Sequence, residues 1–204
     1  MILEDREARY YRQIELNKQY KKPIVVVRIN YPGKKDNYIV NSVFHLLDVE
    51  LTYLYKEVIH QSEGPVLIGV VDEDPIKLKI YGIDLENAPL GRLIDFDVYD
   101  SNFNQISRLD IGLPPRSCII CEDNAHVCIR SMKHSLSEVE NAFNSIFIDY
   151  VSNILGKFAG ESLLEELLLD PKPGLVTPTS NGSHEDMDFD LMKRSIEALD
   201  FTAI

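Results

Sequence analysis

Between Gly91 and Asp100 the chain alternates: Ile94, Phe96 and Val98 fall on one side of an extended backbone, Asp95 and Asp97 on the other. Period two over this length predicts a half-buried strand. Its two aspartates share the polar face, with Cα atoms about 6–7 Å apart from the strand rise. Carboxylates held this close repel unless a positive group stands between them. A divalent cation with oxygen ligands is the usual occupant, and such a cation suits a polyphosphate substrate. The plainer reading, an ordinary solvated strand face, uses the same residues.

Residues 3–20 are polar, with Leu3, Ala8, Tyr11, Ile14 and Leu16 at spacings that predict an amphipathic helix. Pro23–Ile29 is β-branched and reads as a buried strand ending at the turn Asn30-Tyr31-Pro32-Gly33. Phe44, Leu47, Leu51, Leu54, Tyr55 and Val58 recur at helical spacing, so Val43–Ile59 is expected to be a helix capped by Asn41 or Ser42. Val66–Val71 and Ile76–Tyr81 read as strands, the second with Lys77 and Lys79 on one face. A hairpin partner is expected over Gln105–Ile111, and a long helix over Leu136–Leu155. Strands in the middle and helices at both ends predict an α+β fold with a mixed or antiparallel sheet. Gly156–Gly160 marks the expected domain boundary, giving domains at 1–155 and 156–204, with a helix at Ser162–Leu169 in a short helical tail.

The formal charge of −12 argues against a general nucleic-acid partner. It also means that a site for an anion must gather its own cations. No apolar leader opens the chain and no run approaches membrane-spanning length, so a cytoplasmic protein is expected. Three cysteines, Cys118, Cys121 and Cys128, lie within eleven residues, an odd and clustered set that does not suit a disulfide framework. Cys118-x2-Cys121 is half of a zinc site, with Cys128 as third ligand and His134 or His126 as fourth. The competing reading is three reduced cysteines packed under a short helix that His134 caps. Arg108, Arg116, Arg130 and Lys133 in the same stretch are what a triphosphate site beside Asp95 and Asp97 would need.

Taken in order, these pieces resemble holo-citrate lyase synthase, the apo-citrate lyase phosphoribosyl-dephospho-CoA transferase. The resemblance rests on Asn30-Tyr31-Pro32-Gly33, on Pro89-Leu90-Gly91-Arg92-Leu93-Ile94-Asp95-Phe96-Asp97-Val98 and on Ile106-Ser107-Arg108. It continues through Gly112-Leu113-Pro114-Pro115-Arg116-Ser117-Cys118, Cys121, Cys128-Ile129-Arg130 and His134-Ser135, and covers about residues 8–150. The family usually has Phe where Ile94 stands and Ala where Ile129 stands. The resemblance implies a nucleotidyltransferase-like enzyme. In that reaction a serine of the citrate lyase acyl carrier subunit attacks the α-phosphorus of 2′-(5″-triphosphoribosyl)-3′-dephospho-CoA, and pyrophosphate leaves. In-line attack of this kind calls for a metal, a proton acceptor and cations on the leaving group. Asp95 and Asp97 are the expected Mg²⁺ ligands, Asp100 a further carboxylate and candidate base, and Arg92, Arg108, Arg116 and Arg130 the candidate phosphate contacts.

From Glu165 to Leu199 the chain resembles the start of triphosphoribosyl-dephospho-CoA synthase, through Pro171-Lys172-Pro173-Gly174, Gly182-Ser183-His184 and Asp186-Met187-Asp188. Thr177 departs from that family, which usually has an acidic residue there. The expectation is a truncated fusion partner, loosely ordered and without a second activity. Three competing readings use the same residues. One is a non-catalytic, zinc-stabilised module that docks a carrier protein. Another is half of a bifunctional enzyme that also makes the precursor from ATP and dephospho-CoA. The third is a D-x-D nucleotidyltransferase with a different acceptor.

Overall fold

The structure, a computed structural model, describes residues 2–158 apart from Asp36 and Asp48. Its described strands are β1 (Ile24–Ile29), β2 (Tyr53–Gln61), β3 (Gly64–Val71), β4 (Ile94–Tyr99) and β5 (Gln105–Ile106). They form one open sheet in the order β2-β3-β1-β4-β5, and each neighbouring pair is antiparallel. Helices α1 (Ile2–Tyr20), α2 (Tyr38–Leu46), α3 (Pro75–Asn87), α4 (Ala125–Ser131) and α5 (Leu136–Phe158) complete an α+β architecture. By its contacts the chain divides into units 1–147 and 148–204, and the whole sheet belongs to the first. The readings for residues 159–204, including the helix at Ser162–Leu169, lie outside the described residues.

Strand β1 is central and buried on both faces, which explains its unbroken β-branched run. On one face Ile24 and Val26 join Val66, Ile68 and Val70 of β3 and Leu16 of α1 in a single cluster. The other face carries Phe96, which packs against α3 at Gly82; a Cβ there would lie 2.2 Å from the Phe96 ring. The Asn30–Gly33 turn is anchored by Tyr31, whose ring meets Phe143 of α5 edge-on with centroids 4.8 Å apart. Ser135 and Glu138 cap α5 reciprocally: Ser135 N–H donates to Glu138 Oε2 (2.8 Å), and Glu138 N–H donates to Ser135 Oγ (3.3 Å).

Four local expectations are corrected. The stretch Val43–Ile59 is not one helix: α2 ends at Leu46, its cap is Asn37, and Tyr53–Gln61 is strand β2. Leu54, Tyr55 and Val58 fit helical spacing, whereas Tyr55, Glu57 and Ile59 share one face of a strand, and pairing with β3 decides between the two. Ile76–Tyr81 is helical, because Asp74 Oδ1 accepts the N–H groups of Ile76 (2.8 Å) and Lys77 (3.1 Å) while Pro75 sits in the first turn. Lys77 is therefore exposed and Lys79 buried, not side by side. The expected hairpin partner shrinks to Gln105–Ile106, followed by a 3-10 turn at Leu109–Ile111. Helix α1 has the expected span but turns the other way. It buries Arg9, Gln13, Leu16 and Asn17 and leaves Leu3 and Tyr11 exposed. That inward polar face builds the site.

Candidate functional site

Along β4 burial alternates with each residue, so Asp95 and Asp97 share one face as period two requires. Strand register sets Arg28 of β1 opposite Asp95 and Val26 opposite Asp97. The positive group between the carboxylates is therefore Arg28. Its Nη2 lies 3.0 Å from Asp97 Oδ2 and 3.5 Å from Asp95 Oδ2. Arg116 Nη1 donates to Asp95 Oδ1 at 3.3 Å, and Gln105 Nε2 to Asp97 Oδ1 at 3.0 Å. Every oxygen of the pair thus has a partner. The side chains remain 34% and 22% exposed, enough to meet a ligand. Burial raises the proton affinity of Asp95, with Arg28 opposing and Asp97 reinforcing the shift.

Over this face α1 lays its polar side. Arg6, Arg9 and Gln13 line a cleft of about 160 Å³ together with Arg28, Asp97 and Tyr99. Arg6 clasps Glu63 through Nε (2.9 Å) and Nη2 (2.5 Å), while Arg9 reaches Glu63 Oε2 at 3.4 Å and Gln61 Oε1 at 2.9 Å. The Arg6 hydrogen bonds hold the Glu63 carboxyl down at about 2. Lys35 donates to the Ile29 carbonyl (3.3 Å), and burial lowers its ammonium below the usual range. The cleft lining itself carries three arginines, Arg6, Arg9 and Arg28, against one carboxylate, Asp97, with Lys35 close by. In a chain of net charge −12 this is a local cationic excess, the property an anion site requires.

The arginines singled out from sequence are deployed differently. Arg116 reaches the aspartate pair and also donates to the carbonyls of Ile94 (2.7 Å), Gly91 (3.0 Å) and Arg92 (2.9 Å), so it braces the start of β4. Arg92 donates to the Ser117 carbonyl (2.9 Å), and Arg108 is held by buried Glu86 of α3 (2.5 Å). Arg130 is exposed on α4. Asp100 organises its own turn, accepting the N–H groups of Asn102 and Asn104 (both 2.8 Å) and the Asn104 amide (3.0 Å). Partial burial pushes its carboxyl up, but these bonds outweigh it and the net shift is downward. Sequence reasoning did not assign Arg6, Arg9, Gln13 and Glu63 to the site. Arg28 had a readable signal, as the one charge inside an otherwise apolar strand.

On the far side of β4, Glu86 and Lys79 of α3 act on the backbone. Phe96 N–H donates to Glu86 Oε1 (3.4 Å), and Lys79 Nζ donates to the Phe96 carbonyl (3.1 Å). Pairing with β5 covers only Val98 and Tyr99, so these side chains satisfy groups that the sheet does not.

The cysteines converge. Among the described residues, Cys118, Cys121, Cys128 and His134 present ligand atoms all within 4.8 Å of one another, a set that can hold a metal ion. The fourth member is His134; His126 is exposed in the first turn of α4. Burial and the neighbouring thiols push Cys128 up to about 12. At Cys118 burial acts upward too, but hydrogen bonds from Ile120, Cys121 and Cys128 bring it below the usual thiol range. Three thiols at such spacing ionise together only beside a cation.

A family profile described as apo-citrate lyase phosphoribosyl-dephospho-CoA transferase matches residues 1–150, and one described as ATP:dephospho-CoA triphosphoribosyl transferase matches residues 152–201. Protein CitXG of Haemophilus influenzae is 33% identical over 97% of this chain and 45% of its own length. Protein CitXG of Leuconostoc mesenteroides subsp. cremoris is 31% identical over 91% of this chain and 44% of its own. The chain thus spans under half the length of these two relatives. An Escherichia coli O139:H28 protein named apo-citrate lyase phosphoribosyl-dephospho-CoA transferase is 31% identical over 72% of this chain and 87% of its own length.

Proposed function

Because this chain belongs to the apo-citrate lyase phosphoribosyl-dephospho-CoA transferase family, we propose that it is a cytoplasmic transferase that loads the prosthetic group onto the citrate lyase acyl carrier subunit. The donor is 2′-(5″-triphosphoribosyl)-3′-dephospho-CoA. The carrier serine oxygen bonds to the α-phosphorus, the bond to the β-phosphate breaks, and pyrophosphate departs. The observation that carries this reading is the cleft at Asp97, where arginines from α1 and β1 face an acidic strand.

Arg28 and Arg9 would bind the phosphate oxygens, with Arg6 behind them fixing Glu63. A carboxylate of the Asp95–Asp97 pair would take the serine proton in preference to Asp100, which is engaged in its turn. Two same-face carboxylates match the oxygen preference of Mg²⁺, and Asp95 and Asp97 would hold that ion once Arg28 moves from them to phosphate. When bound, Mg²⁺ supplies charge neutralisation on the triphosphate. Zinc, the second metal of this reading, belongs to the cysteine cluster and takes no part in the transfer.

The match at residues 152–201 favours a second reading, in which this domain works joined to the synthase that makes its donor. Incubating the chain with apo-carrier, donor and Mg²⁺ tests the first. The carrier should gain the mass of the phosphoribosyl-dephospho-CoA group with release of pyrophosphate. A carrier that binds but keeps its mass would mark a docking module instead. Product from ATP and dephospho-CoA would mark a synthase.

A further inference from the structure

Residues 107–135 form a long excursion in which Cys128 alone is buried. Ile129 and Met132 stand 70% and 84% exposed, so no apolar core holds this segment. Arg108 and Arg116 tie it to α3 and β4, and within it residues 118–134 converge on sulfur. Cys121 Sγ lies 3.6 Å from Cys128 Sγ and 3.3 Å from His134 Nε2. Tetrahedral zinc, with Zn–S of about 2.3 Å and Zn–N of about 2.05 Å, sets edges of about 3.8 Å between sulfurs and about 3.6 Å from sulfur to nitrogen. Local backbone delivers each ligand. Ile120 N–H points at Cys118 Sγ (3.5 Å), Cys118 N–H donates to the Asp123 carbonyl (2.7 Å), and Asn124 caps the helix bearing Cys128. A left-handed residue at Met132 then turns the chain so that Lys133 N–H meets the Cys128 carbonyl (3.0 Å) and His134 faces the thiols. Three thiolates on Zn²⁺ leave one negative charge, and Lys133 Nζ stands 3.7 Å from Cys121 Sγ to balance it.

We propose that Cys118, Cys121, Cys128 and His134 form a closed structural zinc clasp that replaces a hydrophobic core in residues 107–135 and keeps Arg116 docked on β4. This rests on the zinc assignment and not on the transfer reaction. Four protein ligands fill the tetrahedron, leaving no position for a substrate. Arg116, two residues before the first ligand, is the clasp's only charged link to Asp95 among the described residues. Loading releases the thiol protons to solvent and involves no redox step.

The full chain, purified without added metal and reconstituted with Zn²⁺, should hold one zinc ion per chain by elemental mass spectrometry. Co²⁺ in its place should show tetrahedral and thiolate-to-metal absorption. Stripping the metal should expose the Arg116–Ser117 bond to trypsin at least tenfold faster, while cleavage after Arg12 in α1 stays unchanged. Cys128→Ala should lose the metal. Because removing that buried side chain can unfold the segment by itself, His134→Cys is the second variant. It keeps four ligands and should retain one metal, with a cobalt spectrum shifted toward all-thiolate. Sub-stoichiometric metal after reconstitution, or an octahedral cobalt spectrum, overturns the clasp. Full metal with equal cleavage at Arg116 in both forms overturns its link to β4. A zinc-loaded chain that leaves the carrier unmodified sinks the transferase reading and leaves these results standing.

Discussion

Two candidate metal sites are joined through Arg116, which pairs with Asp95 and lies two residues before Cys118, and they differ in who supplies the positive charge. At Asp95 and Asp97 the protein supplies it, through Arg28 and Arg116. At the cysteines the nearby cations are engaged elsewhere: Lys133 is paired with Asp123, and Arg92, which feels Cys118, donates to the Ser117 carbonyl. A site that is neutral without metal can bind and release one with its substrate. A site whose thiols must give up their protons to an ion, with no free cation to hold them ionised, keeps that ion as part of the fold. The first arrangement suits turnover, the second scaffolding.

The largest effect that tests this contrast is on activity. Asp97→Asn should lower carrier modification by at least about 100-fold, while its melting temperature stays within about 5 °C of wild type and its zinc content is unchanged. If this variant lost zinc, the two sites would be one unit and the contrast would fail. Gly91→Ala strikes the seam between them. A Cβ there would lie 1.9 Å from the Leu85 carbonyl oxygen and 2.7 Å from Glu86 backbone, so α3 or the start of β4 must shift. Urea denaturation should show a loss of about 3 kcal/mol, with Arg116 more open to trypsin because Gly91 is one of its acceptors.

Lys79→Met should cost about 2 kcal/mol by leaving the Phe96 carbonyl without its buried donor. Zinc content should not move, since this brace acts on β4 from α3. The smallest effect is confined to acid. Glu63 has its folded pKa depressed to about 2 from an ordinary 4.5. Its contribution to stability is complete above the ordinary value and fades as pH falls toward the folded one. Glu63→Gln should flatten the stability curve between about pH 4.5 and 2, and an unchanged slope there would show that the Arg6 pairing contributes nothing.

The parts of this molecule that were legible in its sequence are those set by near neighbours. Alternation fixed the two faces of β4, an apolar run marked β1, and C-x2-C spacing marked the cluster of three cysteines and His134. The pairing of Arg28 with Asp95 was not legible, because it depends on a register joining segments more than sixty residues apart. The inward roll of α1 was equally hidden. Its buried Arg9 is satisfied by Glu63 and by the strand-edge residue Gln61, so a hydrophobic pattern points to the wrong side. In α3 the signal was present and outweighed: Asp74-Pro75 is a helix start, but Lys77 and Lys79 imitate strand alternation. Tyr53–Gln61 carries both periods at once, and only β3 resolves it.

The side chains that satisfy Phe96 also bear on what the molecule must avoid. Beyond the two pairs with β5, the outer margin of β4 offers a guest peptide neither a free donor nor a free acceptor at Phe96. A strand from another chain would have to evict a buried lysine and a buried glutamate before it could add itself there. Edge-to-edge growth, the common route from an open sheet to an aggregate, is thereby blocked at the strand that carries the aspartates.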